Sequence, residues 1–454
     1  MYPLASSADH AVPFLLIFLL LISAAAAAAT AILEPSADQD QKRRDLVELF
    51  RKYLRIRTTH PNPDYATAAA FLTAEARSVG LLTQTLEFVP GKPILLFTWP
   101  GADPLLPSIL LNSHMDSVPV EEDKWIHPPL AAHLDPADGR IFARGAQDDK
   151  CLAIQYLEAL RTLKADSTFT PLRSIHVTLV PDEEIGGRDG AAMFTASEVF
   201  RQLNVGFVLD EGQASPTGEF RVFYADRAPW RLIVKARGQP GHGARMYDNT
   251  AIENLMELVE AVTYYRNSQF DLVKAGLKAA SEVISLNPVY FKAGTHSPTG
   301  FVMNMQPSEA EVGFDVRIPP TENPDIIRRR IQEEWATISM NLTFKLIELG
   351  PLTDHAGRPL MTATNESNPW WAVFKQAISD SGGKLAEPEI LSSTTDARFM
   401  RQMGIPSLGF SPMANTPILL HEHNEFLQDA VFLKGIEVYR HVIRSLSTFM
   451  ESSV

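Results

Sequence analysis

Three short apolar runs in this chain each stop on groups that can hold a metal ion or carry a proton. That repeat constrains the fold more than any other feature. Ile109-Leu110-Leu111 leads into Ser113-His114-Met115-Asp116, Ile175 to Val180 leads into Pro181-Asp182-Glu183-Glu184, and Val205 to Leu209 leads into Asp210-Glu211-Gly212. Such runs, apolar and rich in β-branched residues, read as buried strands. Between them, Leu152, Tyr156, Leu160 and Leu163 keep helical spacing after Asp148-Asp149. Strands alternating with helices predict an α/β fold around a largely parallel sheet. In open sheets of that kind ligands bind outside the carboxyl ends of the strands, so His114, Glu183/Glu184 and Asp210/Glu211 are expected to converge.

Composition narrows the chemistry. The length of 454 residues exceeds one ordinary core and predicts two domains. Hydrophobic residues at 45% and charged ones at 21% describe an ordinary soluble globular protein. A net charge of −13 argues against a nucleic-acid surface and against a basic membrane-binding face. The single cysteine, Cys151, rules out an internal disulfide and a thiolate metal cage, and it reads as a small buried apolar residue. Any metal must therefore be held by His, Asp and Glu.

The N-terminus carries an apolar core, Phe14 to Ile22, followed by the alanine run 24–29. Residues 1–29 read as a secretory signal peptide, although no Lys or Arg precedes the apolar core, with a retained membrane anchor as the rival, since the apolar stretch is nearly long enough to span. This predicts the secretory pathway (endoplasmic reticulum lumen, vacuole or extracellular space), with the cytoplasm as the alternative. Asn341-Leu-Thr and Asn365-Glu-Ser are glycosylation acceptors in such a compartment.

Beyond a polar linker, helical spacing covers 43–56 and 65–78, and strand patterns cover 83–88, 94–98 and 108–112. The stretch 119–142 has no periodicity and reads as a loop lining a cleft. From 230 the texture changes to strand 230–236, helix 250–265, strand 309–317, helix 324–338 and strand 341–348. That β-α-β-α-β order predicts a small α+β layer inserted into the larger domain. The α/β texture returns with helix 369–380 and the run 405–410. The expected domains are thus 43–225 with 346–454, and 226–345.

Two histidines, His114 and His421, with three carboxylates suit a pair of adjacent metal ions sharing one bridging carboxylate. In the pair Glu183-Glu184 one side chain can bind metal while its neighbour takes a proton from water. Each feature taken alone has a plainer reading: a solvated acidic turn for Glu183-Glu184, a helix N-cap for Asp149, a glycine turn for His242, a strand-end ion pair for Arg317.

In this order and spacing, SHMDSVP, ARGAQDDK, PDEEIGG, LDEG, GQPGHG and LHEHNE resemble the aminoacylase-1 family. These are dizinc hydrolases related to the carboxypeptidase-G2-type and succinyl-diaminopimelate-desuccinylase-type enzymes, and the resemblance spans nearly all of 43–450. It implies a zinc-peptidase-like mixed sheet flanked by helices, with an inserted ferredoxin-like lid through which the chain forms a homodimer. It implies two Zn2+ per subunit held by His114, Asp148 (bridging), Glu184, Glu211 and His421. Glu183 would be the general base and Asp116 the group orienting His114. His242 would reach the partner's active site to steady an oxyanion, and Asn304, Arg317 and Arg398 would hold the substrate. The implied reaction is hydrolysis of an N-acyl-L-amino acid, with a dipeptidase or carboxypeptidase activity as the nearer alternative. A catalytically silent binding protein is the remoter one, and the filled ligand positions argue against it. Two departures stand out: Asp149 occupies a position where the family carries Met, and the leader differs from the cytosolic members.

Overall fold

The computed structural model describes residues 37–450, so the leader at 1–29 lies outside the described residues. Helix Ala37–Leu54 opens them, and its first residues, up to Glu48, belong to an N-terminal unit separate from the body Leu49–Val454. Among the described residues no helix is long and apolar enough to cross a membrane.

The body is built on an eight-stranded sheet. Its order is Leu82–Val89, Lys92–Trp99, Ile175–Val180, Ser108–His114, Val205–Asp210, Ser407–Phe410, Val222–Asp226 and Glu389–Leu391. The four central strands run parallel, with Ile109 opposite both Ile175 and Phe207. Every residue of Ser108–His114 and Ile175–Val180 is buried, as parallel strands covered on both faces require. The sheet as a whole is mixed rather than largely parallel. Leu82–Val89 and Lys92–Trp99 form an antiparallel hairpin closed at Pro90-Gly91, with Gly91 at φ +78°. A connection that short can join only antiparallel neighbours, because a parallel pair needs a crossover of a dozen residues or more. Ser407–Phe410 also pairs antiparallel with Val222–Asp226.

Helices Tyr65–Val79, Lys150–Ala165, Pro369–Asp380 and Asp429–Thr448 belong to the same body. Gly435 lets Lys150–Ala165 and Asp429–Thr448 approach closely, since a Cβ there would lie 2.0 Å from Gln155 Nε2. Tyr156 and Tyr439 meet edge to face at 4.6 Å across the same contact. Cys151 is buried inside this packing. The stretch 119–142 is less irregular than its sequence suggests: His133–Leu134 and Arg140–Phe142 join Phe426–Gln428 in a three-stranded sheet. That pairing ties the start of the last helix to the loop that precedes Asp148.

A second, antiparallel sheet lies between Ala228 and Glu348, in the order Ser285–Ala293, Glu309–Ile318, Ala228–Arg237, Leu342–Glu348. Ala228–Arg237 alternates buried and open residues, and Trp230, Leu232 and Val234 pack under Leu255, Leu258 and Val262 of helix Ala251–Lys274. Thr250 and Glu253 form a reciprocal capping box at that helix's start, and it runs on well past the expected residue 265. The chain order is β-α-β-β-α-β, so the predicted β-α-β-α-β pattern omitted one strand, Ser285–Ala293. Pro288 hid it. Proline is confined to edge strands and irregularities, and this strand is the edge, with a register shift between Pro288 and Tyr290. The segment expected to be helical over 324–338 is a short α-helix, Asp325–Arg329, continued by a π-helical turn, Arg330–Trp335.

Candidate metal centre

His114 closes its strand and is almost fully buried. Its Nδ1 lies 3.0 Å from the main-chain carbonyl of Asp116, which places a proton on Nδ1 and turns the Nε2 lone pair into the site. Nε2 is 3.1 Å from Asp148 Oδ1 and 3.7 Å from Glu211 Oε2. On the other side of the same carboxylate, Asp148 Oδ2 is 3.2 Å from His421 Nε2, which is also 3.1 Å from Glu184 Oε2. Asp148 therefore presents one oxygen to each histidine, and each histidine meets a further glutamate. All five residues expected from the resemblance as metal ligands come together.

The loop before Asp148 owes its shape to Glu425. This buried carboxylate accepts from Arg144 Nη1 at 2.8 Å, Gly145 N at 3.1 Å, Gln147 N at 2.7 Å and Asp148 N at 3.4 Å. Gly145 at φ +82° makes the turn possible. Burial pushes Glu425 up to about 7 against the pull of Arg144. Gln147 then reaches the carbonyls of Pro417 and Phe426, pinning the segment that carries His421. His421 itself has φ +63° and a side chain 56% exposed.

The Glu183-Glu184 turn is anchored on Asp116. Its Oδ1 accepts from Glu183 N at 3.2 Å, and its Oδ2 accepts from Glu184 N at 3.1 Å and sits 2.9 Å from His60 Nε2. Asp116 thus holds the His114 ring through its carbonyl, while its carboxylate oxygen stands 3.6 Å away and serves the glutamate turn. Burial raises the Asp116 pKa, but His114 and His60 outweigh it and hold the group at about 2. Glu183 is raised well above the usual carboxylate range by burial and by Asp396, and its nearest cation is Arg398 Nη1 at 4.0 Å.

Asp149 does not cap the helix it precedes, since its side chain makes no capping hydrogen bond. It turns back instead to accept from Ser113 Oγ at 3.0 Å and His114 N at 3.3 Å. Burial, reinforced by Asp148 and Asp210, pushes it up to about 7 against the pull of His114. Of the pair Asp210-Glu211, only Glu211 faces His114. Asp210 is taken by Asn112 Nδ2 at 2.9 Å and Ala397 N at 2.6 Å.

The other expected site residues are placed elsewhere. Arg398 is buried and donates to the carbonyls of Thr395 and Gly186, beside Glu183. Arg317 pairs with Asp315 at 2.8 and 3.1 Å and reaches Thr394 Oγ1 at 3.4 Å. His242 and Asn304 are exposed neighbours on a two-stranded ribbon, where Gly243 N donates to the Asn304 carbonyl at 2.7 Å. Among the described residues no hydrogen bond or ion pair joins His242, Asn304 or Arg317 to the His114–Asp148–His421 cluster. Sequence reasoning missed His60, whose loop has no periodic signal, and Glu425, which stands in the LHEHNE motif.

The donor set fits divalent cations. The ligand atoms of His114, Asp148 and Glu184, and likewise of His114, Asp149 and Glu211, lie within 4.8 Å of one another. Burial raises Glu184 and Glu211, with the Asp148 charge adding to it, while Asp148 and Glu184 push His421 up to about 10. A buried field that favours protons this strongly favours a metal cation in their place. His60, Asp116 and Asp182 form a third acidic group, but Lys92 and two peptide N–H groups already engage its carboxylates.

Residues 110–445 match the family described as Peptidase family M20/M25/M40. Aminoacylase-1 of Sus scrofa is 42% identical over 403 residues, covering 88% of this chain and 95% of the relative. Aminoacylase-1 of Dictyostelium discoideum is 42% identical over 408 residues, covering 88% and 97%. Among solved structures, the M20 family metallo-carboxypeptidase Sso-CP2 from Sulfolobus solfataricus superposes with a TM-score of 0.68 at 16% identity, covering 89% of this chain and 99% of that one. The Bacillus subtilis YXEP protein, a dinuclear metal binding peptidase, gives 0.61 at 15% identity, covering 88% and 97%. Those two likenesses concern the fold alone. With the matched family spanning most of the sequence and the relatives nearly all of the described residues, this chain belongs to peptidase family M20/M25/M40.

Proposed function

We propose that this metal-dependent amidohydrolase cleaves N-acyl-L-amino acids to a carboxylate and a free L-amino acid, using two zinc ions per subunit. One observation carries the reading: the two oxygens of Asp148 face two different histidines, each backed by its own glutamate. His114 and Glu211 would hold one ion, His421 and Glu184 the other, with Asp148 between them. Bound there, the pair would supply Lewis-acid activation of water and of the acyl carbonyl. Glu183, beside the cluster and raised by burial, is suited to take the proton from water and return it to the leaving amine. Arg398 and Arg317 offer guanidinium groups suited to the free α-carboxylate of the substrate. The relatives named aminoacylase-1 support this substrate class over dipeptides.

The same reading makes the layer 226–345 a lid and dimerisation domain. Its edge strand Ser285–Ala293 exposes Tyr290 and Phe291, and the neighbouring helix exposes Met256 and Tyr264. An apolar sheet edge of that kind calls for a cover, and a second copy of the chain supplies one. In the homodimer His242 would donate to the oxyanion in the partner's site. The apolar leader supports a place in the secretory pathway, where Asn365, exposed at its loop, would be open to glycosylation.

The test is Glu183→Gln. The variant is expected to keep its metal while kcat falls by about 1,000-fold or more, the scale of losing a general base and its charge together. Near-native turnover would remove Glu183 from the mechanism. Release of amino acid from dipeptides but not from N-acetyl-L-amino acids would move the assignment to a dipeptidase.

A further inference from the structure

We infer that Asp182, gripped by Tyr65 and Lys92, is a positioning residue that sets where the Glu183 carboxyl points; the inference rests on the reading of Glu183 as the general base. Asp182 sits at φ +63°, in the left-handed region that aspartate enters more readily than most non-glycine residues, though still at a cost its surroundings must offset. Three sets of contacts fix it. Tyr65 Oη donates to Asp182 Oδ1 at 2.7 Å and accepts from Asp182 N at 2.9 Å. The Asp182 carbonyl accepts from Gly187 N at 2.7 Å and Ile185 N at 3.3 Å, closing the turn on itself. Lys92 Nζ stands 2.5 Å from Asp182 Oδ2 and 2.5 Å from Asp189 Oδ2. One ammonium group therefore joins the two ends of the loop that carries Glu183 and Glu184.

The consequence falls on the next residue. Asp116 holds the N–H of Glu183 at 3.2 Å, on the far side of the planar peptide that links it to Asp182. With that plane gripped at both ends and the next one held by Gly186 N donating to the Glu183 carbonyl at 2.7 Å, the Cα–Cβ direction of Glu183 is set. Asp182 is 3% exposed, and Tyr65 is 5% exposed, so this grip is made inside the protein rather than on its surface. Among the described residues neither Tyr65 nor Lys92 hydrogen-bonds to His114, Asp148, Glu184, Glu211 or His421, which separates their role from holding the ions.

The experiment uses the full chain loaded with zinc and compares kcat, KM and metal content for Tyr65→Phe, Asp182→Gly, Asp182→Asn and Glu183→Gln with N-acetyl-L-methionine. Tyr65→Phe is expected to lower kcat by about 10- to 100-fold with KM and metal content unchanged, the cost of misplacing a catalytic group by a fraction of an ångström or more. Asp182→Gly is expected to lose at least as much, although glycine favours the positive φ and keeps the N–H that donates to Tyr65 Oη, because the carboxylate contacts to Tyr65 and Lys92 are both gone. Asp182→Asn keeps an acceptor for Tyr65 and tolerates the left-handed region, so it is expected to recover part of kcat. Native kcat in Tyr65→Phe or in Asp182→Gly would overturn the inference, as would a loss that tracks metal content. Should Tyr65→Phe not fold, Asp182→Gly against Asp182→Asn decides. A Glu183→Gln variant with native turnover would sink the general-base reading and the inference with it, whereas an inactive Glu183→Gln beside a native Tyr65→Phe would sink the inference alone.

Discussion

Asp116 shows how much one side chain can hold. Three donors converge on its two oxygens: the peptide N–H groups of Glu183 and Glu184 and the His60 ring. An asparagine at this position offers one acceptor oxygen and adds two donors of its own. At least one buried N–H is then left unpaired, at a cost of roughly 1–3 kcal/mol. Asp116→Asn is accordingly expected to lower the denaturation midpoint and kcat together, and an unchanged midpoint would show that the anchoring is not needed. At this scale the sequence was informative where chemistry coincides with a strand end. His114, Glu184 and Glu211 could be gathered because parallel strands deliver their carboxyl ends to one edge. His60 could not, because only the folded chain brings its loop against Asp116. The plainer reading of Asp149, a helix cap, does not hold for its side chain, since the local pattern before a helix says nothing about the Ser113 hydroxyl and His114 N–H at the end of a neighbouring strand.

Elements differ in how much of them local pattern reveals. Central strands and long helices announced themselves through period, whereas Ser285–Ala293 was hidden by Pro288 and became a strand through its pairing with Glu309–Ile318. The parallel expectation failed at the first hairpin, where a tight Pro90-Gly91 turn decides direction. The strand Ile175–Val180 carries a measurable consequence of its burial. His176 lies inside the sheet, 2.9 Å from Thr98 Oγ1, and desolvation depresses its pKa from 6.5 to about 4. On acidification the unfolded chain takes up this proton first, so the folded state loses stability as pH falls from 6.5 through about 4. The loss attributable to His176 grows to roughly 3 kcal/mol across that window. His176→Gln is expected to flatten this part of the pH dependence in urea denaturation, and an equally steep profile would contradict it.

The whole molecule adds what no single chain shows. Asp148, the two histidines and the glutamates are complete within one body, yet His242 and Asn304 stand apart from them at a separate two-stranded ribbon. If His242 serves the partner's site, two inactive variants complement each other. Equal amounts of Glu183→Gln and His242→Ala chains, dissociated and reassociated, are expected to regain about a quarter of wild-type activity, because half the dimers carry one intact composite site. No regain in a sample shown to be dimeric would place His242 in its own subunit or outside catalysis. The central claim, a two-metal amidohydrolase centre bridged by Asp148, is met most directly by counting metal on the purified protein and following N-acetyl-L-methionine hydrolysis before and after chelation. About two zinc ions per chain, with methionine release that chelation abolishes and zinc restores, is the expected result. Methionine release at full rate from metal-free protein would contradict it.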